Sequence, residues 1–200
     1  MSVNIIDDFY DPETLNEISS YLNGILYSKQ DEVHLFSCNM VLWDDGLYRH
    51  QNGSDLEAPP LVLIHYPQAH GERGKIIHDL IKEKTNERVK EFGLRCQDVT
   101  GPMFHIWSPQ SYINWHNDFR PGVESEQRHG AATIYLNREW ALDKGGEFLY
   151  NDDAADLNNV KRVTPAENRA VVLDGWARHK TTPVAPENIR KSLQIWLTKI

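Results

Sequence analysis

The 200-residue sequence predicts a mainly β protein of the α+β class, an antiparallel sandwich or barrel with flanking helices. Two observations carry this. Long helical signals occur in only two places, both in the first half of the chain. Elsewhere Gly, Pro, Asn and Asp recur at short intervals and separate runs rich in β-branched and aromatic residues. With 40% apolar and 25% charged residues, the chain has the composition of a globular protein with a substantial core, and it reads as a single domain over residues 1–200. Residues 1–98 then supply helical and strand support, and residues 99–200 hold the motifs that carry chemistry.

The first helix is expected over residues 11–23. Asp11 is a good N-cap and Pro12 suits the first helical position. Leu15, Ile18 and Leu22 share one face, and Gly24 follows as a stop. The second is expected over 74–92, where Ile77, Leu80, Ile81, Lys84 and Val89 form a rough stripe that ends at Gly93. The strand runs are 33–43, 61–66, 99–107, 111–118, 131–137, 146–150, 169–174 and 191–199. After Asp118 the stretch FRPGVESEQRHG is rich in turn formers and charge. It reads as a mobile loop of the kind that selects substrates.

Several function classes are disfavoured. No run approaches the eighteen apolar residues of a membrane span, and MSVNIIDDFYDPE lacks the basic and apolar regions of a secretory signal. Cys38 and Cys96 are too few for a disulfide scaffold, so the expected compartment is a reducing cytoplasm. A net charge of −8 argues against a nucleic-acid partner. Arg120, Arg128, Arg138 and Arg178 would form a basic patch only if the fold collected them.

The informative segment is Trp115-His116-Asn117-Asp118. On a strand, residues i and i+2 project to one face, so His116 and Asp118 can converge on one point. One imidazole and one carboxylate supply two ligands of a facial triad, the mixed N/O set that suits Fe(II), whereas structural zinc prefers four closed ligands. By itself the pair reads equally as a surface turn. Downstream, residues 169–197 read as three strands joined by turns, and His179 opens the middle one as a possible third ligand. Arg190 begins the last strand, with Ser192 two residues on and hence on the same face. An inward Arg190 needs an anionic partner, and its planar fork grips a carboxylate with help from a serine hydroxyl. The bland alternative for Arg190 is a solvated strand end. His65 and His105 read as satisfied buried side chains on apolar strands.

The order His116-Asn117-Asp118, Tyr135-Leu136-Asn137-Arg138-Glu139-Trp140, Gly145-Gly146-Glu147-Phe148, His179, Arg190-Lys191-Ser192 resembles the 2-oxoglutarate/Fe(II) dioxygenases. Within them it is most similar to the prolyl 4-hydroxylase branch, over about residues 99–198, and IIDDFYDPETLNEI resembles that family's opening strand and helix. The resemblance implies a double-stranded β-helix (jelly roll) with helices packed on one sheet. It implies Fe(II) held by His116, Asp118 and His179, with 2-oxoglutarate and O2 as co-substrates and ascorbate as reductant. The far carboxylate of 2-oxoglutarate would pair with Arg190, helped by Ser192 and the Tyr135 hydroxyl. Thr133, Tyr135 and Asn137 share one face, although Tyr135 also reads as an ordinary core tyrosine. Many relatives carry a tyrosine where Trp107 stands here, and Tyr112, four residues before His116, is the expected substitute. Arg178 and Arg120 read either as substrate contacts or as surface arginines.

The implied substrate is a prolyl residue in a protein or peptide, with a free amino acid or other small molecule as runner-up. A non-catalytic cupin-like binding protein is disfavoured, because such a module needs no Arg190-Ser192 pair behind a triad. Nucleic-acid demethylases are also disfavoured. They carry a second arginine where Leu197, Thr198 and Lys199 stand here, so no nucleic-acid partner and no membrane partner is expected.

Overall fold

The computed structural model describes residues 3–26, 40–42, 48–50, 62–118, 128–151, 159–175 and 177–200. Its elements in chain order are β1 (Val3–Ile6), α1 (Pro12–Leu26), β2 (Met40–Leu42), β3 (Tyr48–His50), β4 (Val62–His65), α2 (Gly71–Val89), β5 (Leu94–Cys96), β6 (Met103–Trp107), β7 (Ile113–His116), β8 (Gly130–Tyr135), β9 (Phe148–Asn151), β10 (Val160–Val163), β11 (Ala170–Asp174), β12 (Arg178–Thr181) and β13 (Arg190–Lys199). The large sheet runs β1-β11-β8-β13-β6-β4, with β5 also paired to β13, and a smaller sheet runs β10-β9-β12-β7. All the strand pairs in both sheets are antiparallel.

Side-chain alternation divides the large sheet into two functional faces. On one, Phe104, Ile106, Ile134, Val172, Leu193 and Ile195 pack against Ile18, Leu22, Ile77 and Ile81 of the two helices. On the other, Tyr135, Val171 and Leu173 meet Phe148, Tyr150 and Val163 of the smaller sheet. The result is a jelly roll with helices on one outer face. That arrangement agrees with the mainly β, α+β class expected from the strand punctuation.

Both helices start where local chemistry dictates, but their bounds differ from expectation. Asp11 caps α1, its Oδ1 accepting the Thr14 N–H at 2.9 Å and its Oδ2 the Thr14 hydroxyl at 2.7 Å. The helix runs through Gly24 to Leu26, because burial of Ile18, Tyr21 and Leu22 outweighs the roughly 1 kcal/mol cost of an interior glycine. Gly74 does not open α2, which begins a turn earlier at Gly71. Its role is close approach, since a Cβ there would stand 2.1 Å from the Pro67 carbonyl oxygen. After Val89 the chain tightens into a 3-10 turn over Lys90–Phe92 and leaves through Gly93 at φ 70°, the expected stop. Among the described residues, no helix is long and apolar enough to cross a membrane.

Short strands β1, β3, β5 and β10 lie outside the predicted runs. Only residues 40–42 of the predicted run 33–43 are described, as β2, and Cys38, Arg120, Trp176 and the stretch 119–127 lie outside the described residues.

Besides the β1–β11 pairing and the Asp7–Arg169 ion pair, the side chain of Asn168 fastens the N-terminal segment to the sheet. Asn168 is 6% exposed; its Oδ1 accepts the Tyr10 N–H at 2.9 Å and its Nδ2 donates to the Tyr10 carbonyl at 2.7 Å. Its backbone sits at φ 62°, a left-handed conformation that asparagine tolerates better than most residues. Asn168→Ala therefore loses two buried hydrogen bonds and strains the turn. It is expected to destabilise the fold by about 2–4 kcal/mol, read by urea denaturation. A change within about 0.5 kcal/mol would show that Asn168 is not the fastening.

Candidate metal centre and co-substrate pocket

His116 ends β7 and His179 lies on β12, and the two residues are directly paired across the smaller sheet. Asp118 follows β7, and its backbone N–H donates to the Gly175 carbonyl at 3.2 Å. One ligand atom from each of the three residues lies within 4.8 Å of the others. The His116 and His179 Nε2 atoms each stand 3.8 Å from an Asp118 carboxylate oxygen. All three side chains are at least nine-tenths buried.

Backbone carbonyls set the orientation of both rings. His116 Nδ1 lies 2.7 Å from the Asn114 carbonyl oxygen, and His179 Nδ1 lies 2.8 Å from that of Ala177. A carbonyl only accepts, so each Nδ1 carries the proton and each Nε2 presents its lone pair toward Asp118. Partners of this kind fix tautomer and ring angle in metal-binding histidines. Phe148 stacks on His179 at a centroid distance of 5.1 Å and supplies an apolar wall.

Burial pushes the pKa of His116 down to about 4, helped by the neighbouring His179 and opposed by Asp118. Burial alone dominates for His179, also at about 4. Both rings are thus neutral, the form that can donate a lone pair to a metal. These imidazoles titrate near 6.5 when unfolded. Between 6.5 and 4 the unfolded chain binds protons that the folded chain does not, so stability rises with pH across that window and is lost as pH falls through it. The metal-free protein is expected to lose up to roughly 1.4 kcal/mol per pH unit for each ring in that window, read from denaturation at pH 7, 6 and 5. A flat profile would contradict buried neutral rings.

Arg190 and Ser192 project from β13 into the space between the sheets. Arg190 is 2% exposed, with its guanidinium carbon 4.3 Å from the Trp107 ring centroid and 5.4 Å from that of Tyr135. Its Nη1 donates to the Gly146 carbonyl at 2.7 Å, while its Nε has no partner. No carboxylate pairs with it among the described residues, and burial pushes its pKa down to about 10. It stays cationic at neutral pH. A buried cation beside a two-histidine, one-carboxylate group is a receptor for an anion.

The glycine pair of the GGEF motif gains its reason here. Gly146 sits at φ 66°, and a Cβ on it would lie 2.9 Å from the Arg190 Cδ. Ser192 accepts a hydrogen bond from Trp107 Nε1 at 3.2 Å, which leaves its own proton free to donate. The Tyr135 hydroxyl is buried without a partner. His105, Trp107, Thr133, Phe148, Arg190 and Gln194 line the same cavity as His116, Asp118 and His179.

Tyr112 is not brought to this cavity. His116 pairs with His179 and Ile113 with Thr181, so two β7 residues lie between the pairs opposite one on β12. This bulge inverts the alternation. Ile113 joins His116 on the cavity side, and Tyr112 is left 39% exposed. Arg178, alternating with His179, is exposed on the outer face, where its guanidinium stands 5.7 Å from the Trp115 ring centroid.

Sequence reasoning passed over His105 as satisfied and treated Trp107 only as a departure from the family pattern. Strand alternation puts both on the inner face of β6.

Residues 102–198 match the family model described as the 2OG-Fe(II) oxygenase superfamily, and this stretch of the chain is a dioxygenase domain of that superfamily. Membership implies Fe(II), 2-oxoglutarate and O2 as reactants. The N/O donor set and the orphaned guanidinium suit such a pair of guests. The fold is similar to that of a prolyl hydroxylase from Trichoplax adhaerens, solved with a hypoxia inducible factor oxygen degradation domain peptide fragment. There the TM-score is 0.70 at 16% identity, covering 98% of this chain and 83% of that one. It is also similar to a Pseudomonas putida prolyl-4-hydroxylase, with TM-score 0.63 at 16% identity, covering 99% of this chain and 92% of that one. A further likeness is to the non-heme alpha ketoglutarate dependent epimerase SnoN from nogalamycin biosynthesis, with TM-score 0.61 at 12% identity, covering 98% of this chain and 77% of that one. No curated protein matches the chain in sequence.

Proposed function

We propose that this dioxygenase hydroxylates a prolyl residue in a protein or peptide. His116, Asp118 and His179 hold Fe(II), and 2-oxoglutarate rests its far carboxylate on Arg190. The observation that carries the co-substrate assignment is the buried Arg190 Nε without a partner, in the cavity that the triad also lines. Tyr135 and Ser192 offer further hydroxyl donors to the same carboxylate. When bound, the iron would couple O2-dependent decarboxylation of 2-oxoglutarate to succinate and CO2, which takes one oxygen atom, to hydroxylation of a substrate C–H bond with the other. The chain's part is to orient these groups and to exclude water with Phe148, Trp107 and Leu173. Residues 1–200 act as one domain, in which residues 1–98 support the core. Ascorbate serves as reductant. The buried thiol of Cys96, pushed up to about 12 by burial, is inert and suits a reducing cytoplasm.

The prolyl assignment rests on the order of motifs and on fold likeness to prolyl hydroxylases, one of them solved with a peptide. A small-molecule substrate is the second reading, favoured by the likeness to SnoN, which covers 98% of this chain at a TM-score of 0.61. Incubation of a proline-containing peptide library with the protein, Fe(II), 2-oxoglutarate and ascorbate is expected to yield peptides that carry one added oxygen on proline. If only free metabolites gain oxygen, the second reading replaces the first.

A further inference from the structure

His105 is a buried titratable group outside the metal triad. It lies in the middle of β6, 6% exposed, and its buried Nε2 has no hydrogen-bond partner. Native proteins satisfy most such atoms, so an orphan inside a cavity points to a guest. Strand register gives its neighbours. Ser192 pairs with His105 on one side and with Tyr135 on the other, so these three form one row across β6, β13 and β8 on the inner face. Arg190 is on that face two residues from Ser192, and both Arg190 and His105 line the cavity. The Tyr135 hydroxyl, the Arg190 Nε and the His105 Nε2 are thus three unpartnered polar atoms from three adjacent strands.

We infer that His105 is a positioning residue for the co-substrate, donating a hydrogen bond from Nε2 to an oxygen of bound 2-oxoglutarate beside Arg190. The inference rests on the co-substrate reading above. Burial first, and the Arg190 guanidinium second, push the His105 pKa down to about 3, so the ring offers one donor and one acceptor. Against an anion the tautomer with Nε2–H is favoured, and hydrogen bonds to charged oxygens are the stronger kind.

The test is calorimetric titration of 2-oxoglutarate into the Zn(II)-loaded protein, since zinc holds the triad without redox chemistry. His105→Leu is expected to bind about ten-fold or more weakly, and His105→Asn, which keeps an amide donor, to recover part of the loss. In the wild-type protein, long-range 1H–15N spectra should show the His105 Nε2 protonated and its resonance moving on addition of 2-oxoglutarate. The spectra decide the matter even if the leucine variant fails to fold. Unchanged affinity in His105→Leu with an unmoved imidazole resonance would overturn the inference and leave the co-substrate reading standing. Absence of 2-oxoglutarate binding by the wild type would overturn both.

Discussion

Asp118→Ala is expected to reduce succinate formation from 2-oxoglutarate by more than about 1,000-fold while leaving the fold intact. Asp118 is the single carboxylate in the group, 5% exposed and 3.8 Å from each of two neutral imidazoles. Without it the site offers a divalent cation two nitrogen lone pairs and no negative charge. Loss of a mere outer partner of a metal ligand costs roughly 10–100-fold in affinity or activity, and loss of the ligand itself costs more. The fold has less to lose, because burying a carboxylate carries a desolvation cost that alanine does not. Circular dichroism and the thermal midpoint of the metal-free variant should therefore stay close to wild type. Retained succinate formation would remove Asp118 from the metal centre.

Arg190→Met is expected to raise the 2-oxoglutarate concentration needed for half-maximal turnover by about 100-fold, with little loss of stability. Charge-assisted hydrogen bonds to a desolvated carboxylate are worth about 1.5–3 kcal/mol each, and the guanidinium can make two. The metal-free protein gains something from the change. Lowering of the Arg190 pKa from 12.5 to about 10 corresponds to a cost on the order of 3 kcal/mol for keeping an uncompensated cation buried. That relief offsets the lost hydrogen bond to the Gly146 carbonyl and the contacts with the Trp107 and Tyr135 rings. Wild-type protein should show a higher thermal midpoint when 2-oxoglutarate is added, and the variant should not. A variant that still responds to millimolar 2-oxoglutarate would place the far carboxylate elsewhere.

The residues that define the site were legible because each lies in a locally regular context. His116 and Asp118 are two apart at the end of a strand, and Arg190 and Ser192 alternate along β13 without interruption. Tyr112 lies in a less regular context. One extra residue in β7 inverts the face, and nothing in Tyr112-Ile113-Asn114-Trp115 announces a bulge. For His105, an apolar strand says that a histidine is buried but not whether its nitrogens find partners. That depends on the cross-strand row with Ser192 and Tyr135, which only register supplies. The helix bounds were off by a few residues where glycine acts through packing and not through its freedom. Gly74 fits beneath the Pro67 carbonyl inside α2, and Gly24 rides through α1 on the strength of its neighbours. A short strand such as β5 has too few residues to show a period of its own and exists because the longer β13 templates it.

We propose that the triad and Arg190 form one site for a metal and the keto acid it chelates. Anaerobic addition of Fe(II) and then 2-oxoglutarate, followed in the visible spectrum, tests this most directly. A metal-to-ligand charge-transfer band that needs both additions is expected. It should be absent in His179→Ala and require far more 2-oxoglutarate in Arg190→Met. A wild-type protein that gives no such band, or one whose band survives His179→Ala, would contradict the proposal.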